Sequence, residues 1–197
     1  GNSSARESCT AENCPTNVNI TIDPVPNICL NPTTVLTNLS ATVTGGNGGG
    51  TGEWSGDGIT DASLGTFNPS AAGAGTHTIQ YTYKEGNCSY DEPITITVFA
   101  EPIADFDATS TVCENENATI TFTGTASTSA IYRWDFDGGT VISGTGVGPY
   151  EVQWTAFGSK TISLIVEENG CSSTQANQSV NVNQPLLAPD ISCATTT

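Results

Sequence analysis

The sequence predicts an all-β chain built from two tandem β-sandwiches, and three observations carry that reading. No segment keeps a helical spacing of apolar residues. Short runs instead alternate Thr, Val, Ile and aromatics between Gly, Pro and Asn. The chain also nearly repeats itself. Gly75-Thr76-His77-Thr78-Ile79 leads through Lys84-Glu85-Gly86-Asn87 to Cys88-Ser89, and Gly158-Ser159-Lys160-Thr161-Ile162 leads through Glu167-Glu168-Asn169-Gly170 to Cys171-Ser172. The cysteines keep step: Cys29 lies 59 residues before Cys88, and Cys113 lies 58 before Cys171. A fixed period near 80 residues marks an array of small domains. The expectation is a segment of a longer chain, with Cys193 opening a further repeat.

In order along the chain, residues 1–15 read as the end of a preceding repeat. Cys9 is either the closing cysteine of that repeat or the partner of Cys14 across a tight loop. Module one spans 16–100. Its strands are expected near Val18–Ile22, Val35–Thr44, Gly52–Trp54, Thr76–Lys84 and Ile94–Phe99. Gly45-Gly46-Asn47-Gly48-Gly49-Gly50 reads as a flexible tip; no Gly-Lys-Ser/Thr follows it, so it is not a phosphate loop. Module two spans 101–184. Its strands are expected near Ala104–Ala108, Ala118–Thr123, Ile131–Phe136, Tyr150–Trp154, Lys160–Glu167 and Ser179–Val182. Ile79, Tyr81 and Tyr83 alternate with Thr78, Gln80 and Thr82, and Ile162, Leu164 and Val166 with Thr161, Ser163 and Ile165, so one face of each strand packs inward. Gly86-Asn87 and Asn169-Gly170 suit hairpin turns. Trp54 and Trp134 are expected in the cores; Trp154 is a second core residue or an exposed aromatic. The joints Ala100-Glu101-Pro102 and Asn183-Gln184-Pro185 are short and restricted by proline, so the modules are expected to lie end to end. Residues 185–197 read as a linker and the start of another repeat.

The parallel spacing predicts the bridges Cys29–Cys88 and Cys113–Cys171. Each would close a long loop and add about 4 kcal/mol, and such bonds need an oxidising compartment. No two cysteines have C-x-x-C spacing and the one histidine is His77, which argues against zinc.

Twenty Asp and Glu oppose four Lys and Arg, a net charge of −16, and both halves share it. Such a surface repels nucleic acid and anionic membranes. No apolar run approaches the ~20 residues of a membrane span, so neither nucleic acid nor membrane insertion is expected.

No catalytic constellation assembles. His77 has no Ser-His-Asp pattern around it and reads as a surface residue on an edge-type strand. Asp135 and Asp137 read as turn-forming acids rather than paired catalytic carboxylates. The candidate calcium ligands are Asp57 and Asp61 in one loop and Glu101, Asp105 and Asp107 at the module junction; neither segment matches the EF-hand loop. No other cofactor is expected. Sequons at Asn19, Asn38, Asn87, Asn117 and Asn177 are what so Asn- and Thr-rich a chain gives by chance.

The stretches Gly52-Glu53-Trp54-Ser55-Gly56-Asp57-Gly58, Thr66-Phe67-Asn68-Pro69 and Gly75 to Tyr83, closing on Cys88, resemble an Ig-like repeat of bacterial surface proteins. In module two, Trp134-Asp135-Phe136-Asp137-Gly138-Gly139 is similar to the W-D-F-G-D-G signature of the PKD domain, a seven-stranded Ig-like sandwich. Gly158 to Val166 is similar to that family's closing strand. The order Asp-Gly-Gly and Lys160 in place of the common aromatic depart from the pattern. Leu187 to Cys193 resembles the opening strand of a further repeat. The resemblance implies two tandem Ig-like β-sandwiches, the second PKD-like, from a giant secreted adhesin of the Bacteroidota kind, a type IX secretion cargo. It implies a non-catalytic structural and adhesive segment at the cell surface. The partners implied are neighbouring repeats, other copies in a filament, and cell-surface glycans or another cell. The alternative is a spacer or carbohydrate-binding module of a secreted hydrolase, with Tyr150 and Trp154 as its aromatic platform.

Overall fold

A computed structural model describes residues 14–30 and 37–184. The chain divides into two compact units, Gly1–Ala100 and Glu101–Thr197, and both are built almost wholly of strands.

Module one contains β1 (Asn19–Ile22), β2 (Ile28–Leu30), β3 (Thr37–Asn38), β4 (Ala41–Thr44), β5 (Thr51–Ser55), β6 (Ile59–Asp61), β7 (Thr66–Phe67), α1 (Pro69–Ala72), β8 (Gly75–Glu85) and β9 (Cys88–Ala100). One sheet has the order β2-β9-β8-β5, a second β3-β7-β6, and β1 pairs with β4. The long β8–β9 hairpin is the frame. It runs in unbroken antiparallel register from Gly75↔Val98 to Glu85↔Cys88. Alternation then selects the core: Ile79, Ile96 and Val98 turn inward against Ile28, Leu39, Trp54 and Phe67. Trp54 pairs with Tyr81 across the strands, ring centroids 4.8 Å apart.

β9 is longer than its sequence suggests because Asp91-Glu92-Pro93 has low strand propensity. The hairpin register overrides it. Pro93 lies where β9 has a ladder partner on one side alone, β2 joining only at Val98–Ala100. That is the position where a missing N–H is tolerated. The single turn α1 follows from Asn68-Pro69: the Asn68 side chain accepts from Ser70 N at 2.9 Å, and proline opens the turn.

Module two contains β10 (Phe106–Ala108), β11 (Thr111–Cys113), β12 (Asn117–Phe122), β13 (Ile131–Asp135), β14 (Thr140–Ser143), β15 (Tyr150–Gln153), β16 (Gly158–Glu168), β17 (Cys171–Ser172) and β18 (Ala176–Asn183). Its sheets are β10-β12-β15-β14 and β11-β18-β16-β13, with β17 on β16. Ile162, Leu164 and Val166 are fully buried on β16, facing Ala118, Ile120, Val152 and Trp154.

The two hairpin turns differ as their sequences do. Gly86 takes φ +62° at the first central position, the demand of a type II′ turn. Asn169 and Gly170 take +54° and +81°, the pair of positive angles that a type I′ turn needs.

The predicted bridges are corrected. Cys14, Cys29, Cys88 and Cys171 are disulfide-bonded, and Cys113 is a free, exposed thiol. Cys88 bonds Cys14, with Cα atoms 5.6 Å apart, not Cys29 and so not leaving Cys14 for Cys9. The partners of Cys29 and Cys171 lie outside the described residues, as do Cys9 and Cys193. Register explains why equal spacing misled. β2 joins β9 in parallel, setting Cys29 beside Phe99. Cys88 begins that same strand, about 35 Å away at about 3.3 Å per residue. Likewise Cys113 sits beside Asn183, next to the Gly158 end of β16, whereas Cys171 opposes Glu168 at its other end. His77 and Lys160 lie on β8 and β16, both interior strands rather than edges.

Candidate functional site

The cysteine-bearing hairpins are the most elaborated features of the two modules. In module one, Cys88 follows the β8–β9 turn and its bond draws the segment at Cys14 against β9. Tyr90 O–H donates to the Pro15 carbonyl at 2.8 Å, beside Tyr83 at 6.3 Å between ring centroids. Partial burial pushes the Tyr90 phenol up, with Glu85 and Tyr83 adding to it. The glycine-rich tip is fastened to the same hairpin. Gly50 N donates to Tyr83 Oη at 3.1 Å and Asn47 N to Glu85 Oε1 at 2.7 Å. Gly46 has φ +67°, and an added Cβ would lie 2.4 Å from Glu85 Oε2, so a larger residue here would be strained and would displace the Glu85 side chain.

In module two, Cys171 is buried after the β16–β17 turn. Val166 N donates to Ser173 Oγ at 2.9 Å, Arg133 pairs with Glu167 at 2.7 Å, and Ser127 N donates to Glu168 Oε1 at 3.0 Å. Ser127 Oγ also donates to Glu168. Burial, then Glu168, raises the Tyr132 phenol. A cleft of about 220 Å³ opens beside Ser129, Ile131, Glu167 and Asn169. That is below the usual volume of small-molecule sites.

The acids expected to hold calcium are placed separately. Asp61 Oδ1 accepts from Ser63 N, Ser63 Oγ and Leu64 N at 3.0, 2.8 and 3.0 Å. These bonds, that from Leu64 first, hold its carboxyl below the usual carboxylate range. Asp57 is exposed in the preceding turn. In module two, Asp105 Oδ1 accepts from Phe106 N at 2.9 Å, Asp107 is exposed on β10, and Glu101 is half-buried. Among the described residues no three His, Cys, Asp or Glu side chains converge as metal ligands do. Asp135 Oδ1 accepts from Asp137 N, and Asp137 Oδ2 from Thr161 N, both at 2.9 Å. Asp137 has φ +49°; both acids organise the corner between β13 and β14.

The aromatic platform is also corrected. Tyr150 and Trp154 are 8% and 2% exposed. β15 lies between β12 and β14, and its alternation turns Tyr150, Val152 and Trp154 inward together. Trp154 Nε1 donates to the Phe136 carbonyl at 2.9 Å and Tyr150 O–H to the Gly146 carbonyl at 3.0 Å. Both aromatics therefore fill the core with their polar tips satisfied. Trp134 is the half-exposed tryptophan, stacked on Phe136 at 5.6 Å. The spacing of two between Tyr150, Val152 and Trp154 was the signal for this burial.

These features define the class: an all-β chain of two tandem Ig-like sandwiches. A family model described as the PKD domain matches residues 99–182, nearly all of module two. No curated protein matches the chain. Among solved structures it is similar to three N-terminal domains of the highly immunogenic outer capsid protein Hoc of bacteriophage RB49. The identity is 12%, the TM-score 0.53, and the match covers 85% of this chain and 70% of that one. It is similar to an E-to-A mutated three-Ig fragment of titin at 13% identity and TM-score 0.51, covering 87% and 67%. Extracellular domains 3–5 of Drosophila OTK give 11% identity and TM-score 0.49, covering 85% and 62%, so the chain spans less than two thirds of that fragment. At these identities the likeness is one of fold, and a sandwich fold hosts many functions. No helix among the described residues is long and apolar enough to cross a membrane.

Proposed function

We propose that this chain is a non-catalytic spacer segment of a larger extracellular surface protein, an adhesin or filament subunit of a bacterium. In it, repeated sandwiches supply reach while disulfides limit how far each can be pulled apart. One observation carries the reading. The Cys14–Cys88 bond makes a covalent short cut from the start of module one to β9, the strand that leads out at Ala100. Tension entering at the N-terminal side passes through sulfur into β9. Residues 15–87, which hold the rest of the sandwich, are bypassed. A bond so placed serves a chain that is stretched, and oxidised cysteines suit an extracellular setting.

The repetition supports the same reading. Both modules set a disulfide-bonded cysteine directly after a two-residue hairpin turn, and the Hoc and titin fragments are themselves strings of consecutive domains. The net charge of −16 keeps an array soluble. The partners in this reading are like repeats on either side and other copies of the chain, with a glycan or another cell as the distant target. The accessory-module alternative loses its support with the burial of Tyr150 and Trp154. Stretching single molecules tests the proposal. Oxidised module one must withhold the length of residues 15–87; release of that length without reductant refutes it.

A further inference from the structure

One sheet of module two ends in a strand that is bare on its outer side. β14 closes the order β10-β12-β15-β14 and pairs with β15 alone. All four of its residues are exposed. Two of the six exposed large apolar side chains of the described residues fall there, Val141 at 42% and Ile142 at 51%. Val141 stands opposite Val152, which is wholly buried. Opposed residues on neighbouring strands share a face, so Val141 lies on the core side, one column past the last covered position. A further strand beside β14 would complete that column.

Edge strands are usually guarded by charge, by proline or by a covering segment. Here the charge is missing: residues 138–150 contain no Asp, Glu, Lys or Arg, in a chain of net charge −16. Of the other edges of the same sandwich, β10 carries Asp107 and β13 carries Arg133 and Asp135, while β11 is uncharged but has only three residues. A register shift between Val141 and Ser143 keeps the ladder short, so a single pairing is weak.

We propose that β14 is a self-pairing edge, on which β14 of a second copy of this chain docks antiparallel across a two-fold axis. Charge selects this occupant. Two such acidic chains repel wherever their carboxylates meet, and this contact brings none together. In the register centred on Val141, that residue faces its own equivalent on the core side and Thr140 faces Ile142 of the other copy. Asp137 then falls opposite Thr145, so no carboxylate meets another. β-Branched and hydroxyl neighbours of this kind favour cross-strand pairing, and a two-fold contact closes on itself rather than growing without limit. In an array, several weak contacts would add through effective concentration. The inference goes beyond the spacer role and does not depend on it.

The experiment is sedimentation velocity of the full chain up to about 1 mM, the range in which a weak contact registers. It is run at low salt and at about 0.5 M salt, which screens the carboxylates. Cys113 is capped with iodoacetamide to exclude disulfide-linked dimers. The expected result is a reversible dimer that salt strengthens. Val141→Lys and Ile142→Lys should each weaken it about tenfold or more, because the first sets like charges face to face at the axis and the second sets a charge opposite Thr140 twice over. Unchanged near-ultraviolet circular dichroism shows that the variants fold; Ile142 lies off the core face, so its variant serves if that of Val141 does not. A monomer at every concentration and salt overturns the proposal. So does a dimer that both lysine variants leave intact, which would belong to another surface. None of these outcomes touches the stretching behaviour of module one.

Discussion

Opening the bridge of module one should change its length under tension far more than its folded shape. The bond joins residues 74 apart in sequence. An extended chain gains about 3.4 Å per residue, so the enclosed segment hides about 250 Å of contour. In the oxidised protein, pulling can draw out little beyond β9 and the terminal segment. With reductant the enclosed strands join the tension path. The assay is single-molecule stretching between marker domains, with and without reductant. Reductant is the right perturbation because Cys29 is bonded as well, and both bonds must open for the full length to appear. Release of about 250 Å or more only after reduction is expected. An equal contour increment in both conditions would refute the reasoning, since the bond would then lie outside the tension path. The same bridge contributes to stability. Closing a loop of this size adds about 4.5 kcal/mol in the chain-entropy treatment. Cys14→Ala with Cys88→Ala should therefore lower the unfolding free energy of module one by about 2–4 kcal/mol, read from denaturant titration.

Other consequences can be checked directly. Trp154→Ala removes a core ring and its bond to Phe136; module two should lose about 3–5 kcal/mol, and a change under 1 kcal/mol would contradict its burial. Gly65 has φ +67°, and an added Cβ would fall 2.6 Å from Trp54 Nε1. Gly65→Ala should therefore destabilise module one by about 1–3 kcal/mol and alter tryptophan fluorescence. Asp61 is held below its ordinary pKa by Leu64 and Ser63, so its contribution is present above the ordinary carboxylate range and lost as pH falls through the depressed value. Asp61→Ala should melt earlier than the parent at neutral pH and converge with it in acid; a gap that widens in acid would reverse the sign. Native protein should take up iodoacetamide at Cys113, the free exposed thiol of the described residues. Peptide mapping that finds Cys113 bridged to Cys171 would restore the pairing by spacing.

Much of the architecture was legible because it rests on local alternation. Ile79 with Tyr83, and Ile162 with Leu164 and Val166, are buried where a period of two places them. Gly86 and the Asn169-Gly170 pair adopt the positive angles their residue types favour. The corner role of Asp135 was also readable, because an Asx turn is made within a few residues. Less was visible where a long-range pairing overrides local preference. β9 passes through Asp91-Glu92-Pro93 because β8 lies beside it in register. The glycine-rich tip is braced by Tyr83 and Glu85, more than thirty residues away, and no local rule announces that.

The sequence by itself determined the repeat, the strand-rich class, the inward faces of the main strands and the acidic surface, all of which depend on composition or near neighbours. Only the tertiary structure decided which cysteines meet and which aromatics are covered. Cys29 and Cys113 hold equivalent places in the two modules, as their equal spacing implied, and each lies beside the end of a long strand. Equivalent place is not proximity. The parallel pairing of β2 with the last residues of β9 puts Cys29 a whole strand length from Cys88, and leaves Cys14 as the thiol within bonding distance. A disulfide forms between atoms close in space, and that closeness is set by register across the sheet, which spacing along the chain does not carry.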